Sequence, residues 1–285
     1  MAQHEQAATR IRAVRLGPTG VHVERSDTGR FSLRAHAQLS PHPTRLTDKL
    51  VEWAARAPER VWLAKRDAHG AWQRLSYGAA LVRVQRIAAA LLERGLTAER
   101  PLMILSENDL EFGLLSLAAL HVGVPFVPVS PAYSLRSRDH ERLREVVALL
   151  TPGAVFAASG SAYAGAIRAA VPDSTEVILT EGELAGRNVT RFAALEERTD
   201  DATVERAHGS LRADAICKFL LTSGSTGTPK AVIHTHGMLS SNQQMLADTL
   251  AFLADEPPLL VDWLPWHHTF GGNHNFGLAL YHGGS

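Results

Sequence analysis

Leu221-Thr222-Ser223-Gly224-Ser225-Thr226-Gly227-Thr228-Pro229-Lys230-Ala231-Val232-Ile233-His234-Thr235-His236 is the stretch on which the reading of this chain turns. Five hydroxyl side chains and two glycines stand between Thr222 and Thr228, followed by a lysine behind a proline. An apolar run at 215–221 precedes the loop and a β-branched run at 231–234 follows it. The spacing therefore predicts strand–loop–strand, not strand–loop–helix. A Walker A loop needs G-x-x-x-x-G-K-[ST] opening a helix, but here the fifth position after Gly224 is Pro229 and Lys230 is followed by Ala231. A nucleophile elbow needs G-x-S-x-G, but Ser223 occupies the first glycine position. Two readings stay open. One is a Ser/Thr/Gly-rich connecting loop. The other, which the composition favours, is a phosphate cradle: glycines let backbone N–H groups turn toward an anion, hydroxyls add donors, and lysine adds a mobile positive charge.

Outward from this loop, strand and helix patterns alternate. Short strands are expected at 21–24 and 31–34 within a polar N-terminal extension, residues 1–44. Thr47 is placed to cap a helix running to Arg56, and strands at 61–66 and 73–77 flank a turn at 67–70. Ser76 is an N-cap candidate, Leu81, Val84, Ala88 and Leu91 share one helix face, and Gly95 suits the helix end. Strands at 101–105, 125–129, 155–158 and 176–179 alternate with helices over 109–121, about 143–150 and 163–170. Residues 180–213 are charged and weakly periodic, and read as a surface excursion. After the glycine loop come a helix over 237–253 and a strand over 259–264, ended by Pro265. The strands are continuous apolar runs, as expected when both faces are covered. The fold class is α/β, with layered, mostly parallel sheets flanked by helices. The expected organisation is the extension 1–44 and a nucleotide-binding unit 45–285, with sub-lobes at about 45–200 and 205–285.

Composition bounds the function. The chain has 285 residues, 45% hydrophobic and 20% charged, with a formal net charge of +0. That balance gives no global field for nucleic acid or an anionic membrane, so neither partner is expected. The longest apolar stretch, 112–129, is broken by His121, Pro125 and Pro128, and reads as a helix and a strand rather than a membrane span. The N-terminal residues lack the apolar run of a secretory leader. The single cysteine, Cys217, lies in an apolar run and fits a reducing, cytoplasmic compartment and a core position. His234, His236, His267, His268 and His274 do not stand at H-E-x-x-H spacing, so no metal site is expected.

The run from Thr222 to Lys230 resembles the signature phosphate loop of the AMP-forming acyl-activating superfamily, which includes acyl-CoA synthetases, luciferases and the adenylation domains of peptide synthetases. Ala231 stands where that family more usually has glycine. Leu264-Pro265-Trp266-His267-His268-Thr269-Phe270-Gly271 is similar to the family's LP-x-x-H-x-x-G segment, with His268 in the histidine position. Residues 104–108 and 123–129 resemble its early strand–helix–strand. The resemblance runs from about Leu46 to the end. Within the superfamily, Val129-Ser130-Pro131-Ala132-Tyr133-Ser134 and the stretch from Trp266 through Asn275 look like feruloyl-CoA synthases.

The resemblance implies ATP-dependent activation of a carboxylic acid, here an aromatic acid of the hydroxycinnamate type such as ferulate. The products are acyl-AMP and pyrophosphate, and coenzyme A then displaces AMP. In that case Thr222, Ser223, Gly224, Ser225, Thr226, Gly227, Thr228, Pro229 and Lys230 would bind the nucleotide phosphates. Lys230 and His268 would serve the chemistry. Trp266, His267, His268, Phe270 and Gly271 would meet the acid, although Trp266, His267 and Phe270 suit core packing equally well. Magnesium is implied by the resemblance, and no ligand for it is legible. The family's later motifs and its small C-terminal domain are not found up to Ser285. The expectation is therefore the partial large N-terminal domain of such a ligase, inactive alone. Two alternatives stand beside it: a non-catalytic remnant binding a nucleotide or partner, and an adenylation domain serving a carrier protein.

Overall fold

The computed structural model describes residues 13–222 and 229–285. Its centre is a seven-stranded sheet whose inner runs, 102–105 and 126–129, are buried throughout, while the outer run 230–235 keeps exposed positions. The elements in chain order are β1 (Val21–Arg25), β2 (Phe31–Ala35), α1 (Asp48–Arg56), β3 (Val61–Arg66), β4 (Trp72–Ser76), α2 (Tyr77–Glu93), β5 (Leu102–Leu105), α3 (Leu110–Val122) and β6 (Phe126–Val129). There follow α4 (Glu141–Leu150), β7 (Ala154–Ser159), α5 (Gly160–Ala170), β8 (Glu176–Glu181), β9 (Val189–Arg191), α6 (Phe192–Leu195) and α7 (Asp201–Ser210). The last are β10 (Ile216–Thr222), β11 (Lys230–Thr235), α8 (His236–Thr249) and α9 (Phe276–His282).

The sheet order is β11-β10-β6-β5-β7-β8-β9. All neighbours are parallel except β10 and β11, which pair antiparallel across the glycine loop. Strands from before and after residue 200 thus share one sheet. β5 and β6 are buried at every position. Their alternate side chains enter two cores. Leu102, Ile104 and Phe156 pack with α2 and α3 on one face, and Met103, Leu105 and Val155 pack with α4 and α5 on the other. This is how a βαβ sheet covers both faces with crossover helices.

Local chemistry sets the helix ends. The Ser76 side chain accepts from Ala79 N, and Asp109 accepts from Leu110 N at the start of α3. Gly123 ends α3 at φ +74°, a conformation that favours glycine. Thr47 stands at the N-cap of α1 but does not cap it, because its Oγ1 lies 3.1 Å from His208 Nε2. The stretch 180–213 is not a surface excursion. β9 extends the sheet beside β8, and α7 packs on α2 and α3, burying Val204. The expected strand at 259–264 does not form, because no ladder partner lies beside it among the described residues; Leu260 N instead donates to Ser285 O at 2.8 Å. β1 and β2 pair antiparallel as a hairpin with every residue exposed. No helix among the described residues is long and apolar enough to cross a membrane.

Candidate active site

In parallel α/β sheets, ligands gather beyond the carboxyl ends of the strands. Three segments meet there. The first is the β10–β11 hairpin, in which Thr222 and Lys230 face each other as cross-strand partners at the base of the loop. Both are exposed, and Pro229 is buried. Ser223, Gly224, Ser225, Thr226, Gly227 and Thr228 lie outside the described residues.

The second is the turn after β5. Asn108 leads into α3 and clamps the third segment, 262–275, through two hydrogen bonds. Its Nδ2 donates to Leu264 O at 2.8 Å, and its Oδ1 accepts from Trp266 N at 2.8 Å. Asp262 completes the clamp: it accepts from Leu264 N and Asn275 Nδ2 at 3.0 and 2.8 Å through Oδ1, and from Trp266 Nε1 at 3.2 Å through Oδ2. Two backbone approaches require glycine here. A Cβ on Gly271 would lie 2.4 Å from Pro265 O, and one on Gly272 would lie 2.1 Å from Trp266 O. With the chain folded back this tightly, a π-helical turn forms over Phe270–Asn275, and such turns recur at functional sites.

The segment distributes the predicted acid-site residues unequally. His268 and Phe270 are exposed and line one cavity of about 500 Å³, together with His234, Met238, Asn273 and His274. The Phe270 ring stacks on His274 at 4.7 Å. His268 N donates to Pro265 O at 3.0 Å, and its carbonyl accepts from Gly272 N at 2.8 Å, which fixes its backbone. His267 points elsewhere, into a separate cavity of about 550 Å³ shared with Glu107, Ser130 and Arg136. Burial and the neighbouring His268 hold its imidazole below its usual range. Trp266 packs into the core, edge-on to Phe112 and Phe276 at 5.6 and 5.0 Å. Gly271 is buried beneath the turn.

Sequence reasoning passed over Lys218. It lies in the middle of β10, opposite Phe126 of β6, and is only 2% exposed. A register shift between Ile216 and Lys218 marks a bulge, which re-aims the strand's side chains. Lys218 Nζ donates to Asn273 Oδ1 at 2.8 Å and lies 5.2 Å from the Phe126 ring centroid. Burial pushes its ammonium down to about 8. The signal was available: a lysine inside a strand covered on both faces has no solvent side to occupy. His234, on β11, is held below its ordinary value mainly by burial. Among the described residues there is no group of three or more His, Cys, Asp or Glu side chains able to hold a metal ion.

Comparison with known proteins fits this geometry. Residues 50–285 match the AMP-binding enzyme family. The chain is a member of that family. A salicylyl-CoA synthase / salicylate adenylyltransferase of Streptomyces is 30% identical over 230 residues, covering 78% of this chain and 39% of the relative. The 4-coumarate-CoA ligase 1 of Narcissus pseudonarcissus is 26% identical over 201 residues, covering 70% of this chain and 35% of the ligase. This AMP-binding chain therefore spans well under half the length of these relatives. A fatty acyl-adenylate ligase from L. pneumophila, solved with acyl adenylate and pyrophosphate, shares the fold with a TM-score of 0.62 at 19% identity, covering 85% of this chain and 39% of that one.

Proposed function

We propose that this chain supplies the phosphate loop and the acid cavity of a ligase that converts an aromatic carboxylic acid of the hydroxycinnamate type, such as ferulate, to its acyl-AMP and then to its CoA thioester. The observation that carries this reading is the cavity of about 500 Å³ in which His268 and the Phe270–His274 stack stand beside His234 of β11, the strand that begins at Lys230. A space walled in part by the Phe270 ring and imidazole rings suits a planar acid. The relatives named for salicylate and coumarate support the same class.

In this reading a carboxylate oxygen of the acid attacks the α-phosphorus of ATP. The bond to the β-phosphate oxygen breaks, and pyrophosphate leaves with the electron pair. The work left to the protein is positioning and charge stabilisation. The Lys230 ammonium, at the mouth of the hairpin, stabilises the departing pyrophosphate together with the hydroxyls and N–H groups of 222–228. His268 holds the carboxylate or donates to an α-phosphate oxygen. The thiolate of coenzyme A then forms a bond to the acyl carbon, and AMP leaves. Magnesium has no ready cluster of protein ligands among the described residues. A cytoplasmic setting, where ATP and coenzyme A are at hand, goes with this reading.

The test is acid-dependent exchange of labelled pyrophosphate into ATP by the protein that carries this chain, with ferulate, 4-coumarate, salicylate and decanoate compared. Hydroxycinnamates giving the fastest exchange is the expected result. Faster exchange with decanoate would overturn the aromatic assignment, because a medium-chain fatty-acid ligase is also among the relatives, at 35% identity over 106 residues.

A further inference from the structure

Among the described residues, Asn273 and Leu239 alone face both the acid cavity and a small space of about 20 Å³ beneath it, where Lys218 lies. The Asn273 amide is not free to choose its orientation. Lysine is a donor only, with three N–H bonds and no acceptor. The contact of 2.8 Å from Lys218 Nζ therefore fixes Oδ1, not Nδ2, on the core side. The backbone on either side is fixed as well: Asn273 O accepts from Gln243 Nε2 at 2.7 Å, and a Cβ on Gly272 would come within 3.1 Å of Lys218 Nζ. Lys218 in turn has nowhere else to turn. It is 2% exposed, it lies against the Phe126 ring, and among the described residues no carboxylate stands within ion-pair reach of it. The two N–H groups of Asn273 Nδ2 are the polar atoms left over, and among the described residues they meet no acceptor. The walls of the acid cavity are Met238, Leu239, Phe270 and imidazole rings, with Asn242 and Thr269 as its other polar side chains.

We propose that Lys218 is a positioning residue for substrate choice: it locks the Asn273 amide so that its N–H groups serve the acid cavity, which then selects aromatic acids bearing a hydroxyl or alkoxy oxygen on the ring. This rests on reading the cavity as the acid site. A donor that a bound unsubstituted ring covers and leaves unpaired carries a desolvation cost, while an acceptor oxygen relieves it. Selection thus comes from rejecting the bare ring as much as from holding the substituted one.

The experiment measures dissociation constants for 4-hydroxycinnamate and for cinnamate on the full protein, for wild type, Lys218→Met and Asn273→Asp. Wild type is expected to prefer 4-hydroxycinnamate by about tenfold. Lys218→Met releases the amide, so the ratio falls toward one. Asn273→Asp gives Lys218 a carboxylate partner and removes the N–H donors. This variant keeps the buried charge paired, loses the preference too, and decides the matter if Lys218→Met fails to fold. A ratio unchanged in the folded variants overturns the inference while the acid site stands. Equal weakening for both acids means Lys218 only supports the fold, and also overturns it. Binding of neither acid to wild type overturns the acid-site reading and the inference with it.

Discussion

Acidification should unfold this protein through three buried histidines. His121 of α3 and His208 of α7 stack face to face, with ring centroids 3.9 Å apart and planes 14° from parallel. His236 begins α8, is fully buried, and has neither ring nitrogen partnered among the described residues. Burial first, then repulsion from His208 and Arg45, pushes His121 down to about 3. Burial and Arg45 push His208 down to about 4, against the opposing pull of Asp48. Burial, His208 and Arg45 do the same for His236, also to about 4. Each folded value lies below the ordinary 6.5. The unfolded chain therefore takes up protons first, and stability rises with pH through this range. The contribution is complete above about pH 6.5 and is lost as pH falls from there toward 4 and 3. At pH 5 all three rings remain neutral in the fold and are charged in the unfolded chain, which costs roughly 2 kcal/mol each, or about 6 kcal/mol together. That is comparable with the whole stability of an ordinary domain. Urea unfolding followed by far-UV circular dichroism at pH 7.5, 6.5, 5.5 and 5.0 measures it. Near pH 5 the slope should approach about 4 kcal/mol per pH unit, the value for three protons. His236→Leu should reduce that slope by about one third. Stability that is flat or rising between pH 7.5 and 5.0 would refute the reasoning.

Further outcomes follow from single contacts. Asn108→Ala removes both clamps on Leu264 and Trp266 and should cost about 2 kcal/mol in urea midpoint analysis, with weaker acid binding. Gly272→Ala places a methyl 2.1 Å from Trp266 O and should destabilise by about 1–3 kcal/mol in thermal unfolding; a neutral result would mean the turn has slack it does not show. Cys217 is buried and its thiol is pushed up to about 12, so it should react with a colorimetric disulfide reagent only after denaturation.

The inner strands of the sheet were legible because they have no polar face: 102–105 and 126–129 read as short apolar runs, and both are buried throughout. The cap at Ser76 and the stop at Gly95, which takes φ +60°, carried the limits of α2, since their chemistry is local. Long-range partnership was not legible. Val189–Arg191 is too short to show a period, and becomes a strand only because β8 offers it an edge. Residues 259–264 have an apolar run without a ladder, and the pattern alone cannot supply one. At the site, the hairpin pairing Thr222 with Lys230 and the exposed His268 stand on local signatures. Asn108, Asp262 and the Lys218–Asn273 pair do not, because each acts on a segment distant in sequence or hidden inside a turn. Trp266 shows the reverse case: an aromatic near the candidate histidine His268, taken up by Phe112 and Phe276.

The most direct measurement is the identity of the nucleotide products when the protein carrying this chain meets ATP and 4-hydroxycinnamate without coenzyme A. The expected products are acyl-AMP and pyrophosphate in equal amounts by mass spectrometry, strongly reduced by Lys230→Met and by His268→Ala. Release of ADP and phosphate, or acyl-AMP formation indifferent to both substitutions, would contradict the proposed function.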